Sequence, residues 1–339
     1  MAVEHVLLVG DVTGMALLQS RSGGASWETT HKVLDAPTYA IKKGLDGFIY
    51  AGTRGAGLWR SQHASGKWQQ IETPAAANKV RALCPIEDGV LVGAEPMGLF
   101  EWTGTRGWKQ LGNLETVSGS SKWYYPDPRE EPHVRDVSYD PQDPQRIYCA
   151  LQVGGIAISP DYGAHWHDVL DLDLDVHMIE PHPLGTGTVY AGTGGRGLYK
   201  SVDSGATWQE ISAGCGNFVI QFAFDYSRPD RLFLGTAHGY PPDWLKEGGA
   251  GGELFRSEDG GGTWSKLANG LPGRLESHVT AVFVHPDVPQ LVFFAGGLSF
   301  RGAIAKDGGV YCSTDGGDHW RLIHSSREPL ALCSVTEKT

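Results

Sequence analysis

The pattern Ser-x-Asp-x-Gly-x-x-Trp occurs four times in this chain, at residues 159–166, 201–208, 257–264 and 313–320. Three weaker copies end at Trp27, Trp68 and Trp108 and lack the aspartate of the turn. Short β-rich runs flank each copy, so the unit reads as strand, tight turn, strand. Ser and Asp oxygens accept hydrogen bonds from turn amides, Gly takes a backbone angle that other residues resist, and Trp packs between sheets. The motif is therefore structural. Seven units at a period of about 40 residues predict one closed array of blades over residues 1–339.

Each repeat divides into four strands, with the Ser-x-Asp-x-Gly turn between the third and fourth. Blade 2 gives the plan at residues 38–42, 47–53, 57–61 and 67–71. Later inner strands begin near Lys79, His133, Asp175, Phe218 and His278. The first blade lacks its inner strand at the amino end, and residues 330–335 can supply it. Pairing both ends of the chain in one sheet removes the exposed edges of a linear array. The expected fold is all-β, a seven-bladed propeller closed in this way.

These residues resemble the Asp-box, or BNR, repeats of the sialidase-like β-propellers. That superfamily includes sialidases, xyloglucan-degrading hydrolases, sortilin-type receptors and a photosystem assembly factor, so the resemblance implies an architecture shared by unrelated activities. The sialidase pattern carries over poorly, because the Arg-Ile-Pro motif is missing and seven blades replace the usual six. Arg81, Arg135 and Arg301 imitate an arginine triad only loosely. The xyloglucan-hydrolase relatives use two propellers, more than this chain builds.

A net charge of -11 argues against nucleic-acid or anionic-membrane partners. No apolar run approaches the ~18 residues of a membrane span. The start of the chain lacks the pattern of an export signal, and Cys84, Cys149, Cys215, Cys312 and Cys333 are scattered without CxxC spacing. Both features lead to the expectation of a cytoplasmic protein with reduced thiols.

The spacing of the motif tryptophans carries the functional argument. Intervals of 41, 40 and 42 residues define the period, whereas three others are 58, 56 and 56. The extra residues fall at 114–132, between blades 3 and 4, and at 238–252 and 297–309, between the second and third strands of blades 6 and 7. In an up-and-down blade both kinds of connection leave by the same end of the ring. Long loops gathered on one face of a rigid scaffold are where binding and catalysis concentrate.

That face supplies the candidate residues. Trp123, Tyr124, Tyr125 and Trp244 lie in the inserted loops and suit stacking on a flat ligand. His133, His177 and His278 stand at inner-strand mouths and His238 just past a second strand, a set that suits Fe, Cu, Zn or Mn or general acid–base work. Either Glu276 or Asp175 would orient the base. With period two, the first and third residues of each inner strand share an orientation, which sets Arg81 and Arg135 side by side with Arg54 nearby. These arginines, with Arg301, clamp an acidic group or serve purely as structural partners of Glu95 and Asp136.

The leading expectation is a small-molecule lyase or hydrolase acting on an acidic substrate. His177, Glu276 and Tyr125 would be its catalytic residues, and His133, His177, His238 and His278 would hold one divalent metal. A sialidase-like glycoside hydrolase, acting on a carbohydrate with an acidic group, and a non-catalytic protein-binding scaffold are the alternatives.

Overall fold

In the computed structural model, which describes residues 3–126, 131–169, 174–297 and 305–338, the strands form seven antiparallel sheets of four strands each. The inner strands are Thr38–Lys43, Lys79–Ile86, His133–Asp140, Val176–Pro181, Phe218–Phe224 and His278–Val284 in blades 2 to 7, and Pro329–Lys338 in blade 1. The last of these pairs with Val3–Asp11, running from Val3 opposite Lys338 to Asp11 opposite Pro329. Both ends of the chain thus share one sheet, and the ring closes as the repeat pattern requires.

Side-chain alternation explains how the blades stack. In Val3–Asp11, Val6 and Leu8 pack with Ile41 and Ile49 of blade 2, while Leu7 and Val9 pack with Phe293 and Ala295 of blade 7. Every other pair of neighbouring blades shares a comparable apolar cluster. Each buried Phe or Leu of these clusters contributes about 1.5–3 kcal/mol relative to exposure.

The turns hold as their residue types dictate. Ser201 Oγ accepts from the Gly205 amide at 2.9 Å and donates to Asp203 Oδ1 at 2.7 Å, while Asp203 accepts from Thr207 N at 2.8 Å and Thr207 Oγ1 at 2.6 Å. Gly205 sits at φ 92°, and a Cβ there would lie 2.6 Å from Ile158 Cδ1 of the preceding blade. Glycine is therefore needed for backbone angle and for blade packing alike. Ser201 is buried, so Ser201→Ala leaves the Gly205 amide without its acceptor. The expected loss is about 1–3 kcal/mol, read from the midpoint of a urea unfolding curve.

Each inner strand also carries a bulge near its start. The residues left out of the ladder are Tyr39, Arg81, Arg135, His177, Thr280 and Leu330, with Ile220 and Gln221 together in blade 6. A bulge re-aims its side chain and breaks period-two alternation. The expectation that first and third residues share an orientation is corrected on this point: His133 pairs with Gln152 in the ladder, and Arg135 does not. Below the bulges, Asp136 Oδ2 accepts from Ile179 N at 3.0 Å and Gln221 Oε1 from Val282 N at 3.3 Å. These side chains cover the free inner edge of a neighbouring blade.

Candidate functional site

Two of the inserted connections lay an aromatic ring on a glycine turn at the same end of the propeller. In the 114–132 connection, Trp123 covers Gly154 of blade 4, where a Cβ would come within 2.5 Å of its Cδ1, and the Tyr124 backbone pairs with Val153. In the 238–252 connection, Tyr240 covers Gly195 of blade 5, where a Cβ would come within 2.4 Å of its Cε1. The remaining connection, 297–309, lies mostly outside the described residues, Arg301 with it. Asp307, at its end, accepts from Glu276 N at 2.6 Å and Ser277 N at 3.0 Å and ties it to the start of blade 7.

Beneath these loops the bulged residues form the mouth of the central channel. On blades 2 and 3, Lys79 Nζ and Arg81 Nε donate to the two Glu95 oxygens at 2.7 and 2.8 Å. The Arg81 guanidinium lies 4.9 Å from the Tyr39 ring centroid, and Arg54 Nη1 donates to the Tyr39 hydroxyl at 3.3 Å. Burial opposes the Glu95 charge, but Lys79 and Arg81 outweigh it and hold its pKa at about 2. Arg81 is thus occupied by a carboxylate of its own protein.

Blade 4 differs. Arg135 is half-buried and has no hydrogen-bond or ion-pair partner among the described residues. Its field reaches its neighbours. Burial and then the Arg81 and Arg135 charges lower His133 to about 3, and burial, His177 and Arg135 lower His278 to about 3. Asp175 is lowered too, because His177, Arg135 and His133 together outweigh its burial.

His177 joins blades 5 and 6. Its Nδ1 lies 2.8 Å from Val219 O and its Nε2 2.9 Å from Asp175 Oδ2, so both ring nitrogens are engaged. From there the aromatic contacts continue through Phe218 and Trp244 to His278, at centroid separations of 5.0, 4.9 and 4.7 Å. At the other end Tyr125 meets the His133 ring at 5.3 Å. Tyr125, His133, Asp175, His177 and His278 therefore belong to one arc across blades 4 to 7.

Deeper in the channel, Lys42 stays open to solvent between the walls of several blades, with Glu180 and Asp136 near enough to act on its charge. Burial disfavours its charge, yet Glu180 and Asp136 outweigh that and raise its pKa. Burial pushes Asp136 up to about 6 and also raises Glu180.

Several expected roles are corrected. Trp123 and Trp244 are only 8% and 4% exposed, so both pin loops and neither can stack on a ligand. Tyr124 and Tyr240, at 50% and 51%, are the open aromatics of those loops. Glu276 does not orient His177; it faces Lys306 at 3.4 Å, and Asp175 takes the orienting place. The four-imidazole metal centre is not assembled. His238 pairs with Glu253 at 2.9 Å, His133 Nδ1 faces Glu131 O at 2.8 Å, and among the described residues no three His, Cys, Asp or Glu side chains gather as a metal-holding group. Tyr240 is the residue sequence reasoning passed over. The adjacent Gly194-Gly195 pair, which leaves room for a ring, was the signal for it.

No family model matches the chain. Xyloglucanase Xgh74A of Acetivibrio thermocellus is 27% identical over 176 residues, 43% of this chain and 21% of that protein. A xyloglucanase of Paenibacillus sp is 25% identical over 299 residues, 78% of this chain and 25% of that protein. The chain spans about a quarter or less of the length of these relatives. Among solved structures, the GH74 xyloglucanase of Xanthomonas campestris superposes with a TM-score of 0.62 at 18% identity, covering 84% of this chain and 45% of that one. YCF48 bound to D1 peptide superposes with a TM-score of 0.57 at 15% identity, covering 85% and 82%.

These findings correct the family expected from the turn motif. The likeness in sequence runs to xyloglucanases and not to sialidase-like BNR propellers, and nothing in it favours a lyase or a metal enzyme. The cytoplasmic placement is corrected on the same ground, since the relatives are named for a polysaccharide too large to cross a bilayer. Of the expected activities, glycoside hydrolysis is the one that these relatives share.

Proposed function

We propose that this protein is a carbohydrate-active propeller of the glycoside-hydrolase kind, which receives a xyloglucan-like saccharide at the loop-covered mouth of its channel. One observation carries the reading beyond the likeness to xyloglucanases. The half-exposed Tyr124 and Tyr240 flank the turns of blades 4 and 5, and the mouth beside them holds the Asp175–His177 pair and Arg135, which has no hydrogen-bond or ion-pair partner among the described residues. Exposed aromatic faces next to a few convergent polar groups suit sugars, which are apolar across their C–H faces and hydrogen-bond at their rims. The Arg135 guanidinium favours a saccharide that also bears a carboxylate.

Glycoside hydrolysis calls for one carboxyl held protonated and another held ionised. Asp136, raised to about 6, suits the acid, and Asp175, held ionised beside His177, suits the base. The test is electrophoresis through gels cast with xyloglucan, together with an assay for released reducing ends. We expect retardation by xyloglucan, stronger with a uronate-bearing polysaccharide, and loss of released ends in Asp175→Asn. Migration unaffected by any polysaccharide, with no reducing ends released, would overturn the proposal. A peptide-binding scaffold is the second reading, favoured because the peptide-bound YCF48 is covered over 82% of its length.

A further inference from the structure

We infer that Tyr240 is the stacking platform of a sugar subsite built on the Gly194-Gly195 turn of blade 5, with the Asp175–His177 pair at its polar end. This inference rests on the carbohydrate reading above and names where one ring of the saccharide sits.

The geometry of that turn is unusual for a surface loop. A Cβ on Gly195 would meet Tyr240 at 2.4 Å from Cε1 and 2.6 Å from the hydroxyl, and a Cβ on Gly194 would lie 2.7 Å from Asp175 Oδ2 and 2.9 Å from His177 Cε1. Two consecutive residues without side chains therefore bring an aromatic ring and a carboxylate–imidazole pair against neighbouring points of one turn. Gly195 holds φ 106°, where other residues are strained, so the turn has a second reason to stay bare.

The platform is fixed from below. Asn217 Nδ2 donates to Gly195 O at 3.0 Å, and its Oδ1 accepts from Gly239 N at 3.1 Å, joining the turn to the residue before Tyr240. Four residues on, Trp244 is buried against Phe218 and His278 and donates to His238 O at 2.7 Å. The loop is thus anchored on both sides of Tyr240, yet half of the tyrosine's surface stays open.

Blade 4 supplies the contrast. There the ring laid on the equivalent turn is Trp123, which is buried and fills space. An aromatic ring held rigid while open to water loses little freedom when a ligand covers it, which is the condition for efficient stacking. A pyranose with equatorial hydroxyls offers a flat C–H face to the ring and directs its rim toward Asp175, as a β-linked glucose unit does.

The experiment is titration calorimetry with xyloglucan oligosaccharides and cello-oligosaccharides on the full chain, on Tyr240→Ala and on Tyr240→Phe. We expect Tyr240→Ala to weaken binding at least tenfold and Tyr240→Phe to stay within about twofold, because the ring face is what the sugar covers. Thermal unfolding of the same samples separates a local loss from a misfolded loop. A Tyr240→Ala protein that binds as the wild type does overturns the subsite and leaves the carbohydrate reading standing. Absence of binding by the wild type to every saccharide overturns both.

Discussion

Glu95→Ala is expected to lower the unfolding free energy by about 3–5 kcal/mol, the cost of deleting one member of a buried ion pair. Glu95 is closed to solvent and Arg81 nearly so, and the carboxylate answers both Arg81 and Lys79. Removing it takes the carboxylate partner from the buried Arg81 guanidinium, which also lies over the face of Tyr39. Chemical denaturation of the variant against wild type reads the loss directly. A drop below about 1 kcal/mol would mean that the pair is solvated in a way its burial does not suggest. The pH dependence has a definite sign. Because Glu95 is held at about 2 against the ordinary 4.5 of a glutamate, its stabilisation is present above pH 4.5 and is lost as pH falls through 2.

Removal of residues 329–338 is expected to have the largest effect of all, the loss of the cooperatively folded monomer. That strand is the inner strand of blade 1 and contributes the buried Ala331, Leu332, Cys333 and Val335 to two inter-blade clusters. Without it Val3–Asp11 becomes an open edge beside the channel, and Leu7 and Leu8 lose their cover. Leu332 and Val335 alone are worth about 1.5–3 kcal/mol each, against a total stability of about 5–15 kcal/mol for a whole domain. A bare strand edge also invites pairing between molecules. Size-exclusion chromatography and near-ultraviolet circular dichroism check the expectation. A monomeric product with native aromatic signals would show that the ring does not need this closure.

Much of the architecture was legible because it repeats. Inner strands expected near Lys79, His133, Asp175, Phe218 and His278 begin at or within one residue of those positions, since each blade offers the same order of apolar run, turn and tryptophan. The site was less legible, and the misses have specific causes. The bulge at Arg135 leaves no mark in the sequence, because it is the register of the neighbouring strand that pushes the residue out of the ladder. Trp123 and Trp244 looked like ligand contacts because an aromatic in a long loop carries no sign of which surface it will cover. Both turned inward onto the ring, and the smaller Tyr240 stayed open. The four histidines were brought to one end of the ring as expected. Three of them, however, set a ring nitrogen against Glu131, Val219, Asp175 or Glu253, partners that lie up to 42 residues away.

The amino-acid order by itself determined the number of blades, the closure of the ring and the turn chemistry. These depend on local periodicity and on residues a few positions apart, so they survive without knowledge of the neighbours. Only the tertiary structure decided that Arg81 is consumed by Glu95 while Arg135 is not, and that Tyr240 lies on bare glycine beside Asp175. Those outcomes hang on contacts between blades, where which charge finds a partner and which ring keeps an open face is settled by packing across the channel mouth.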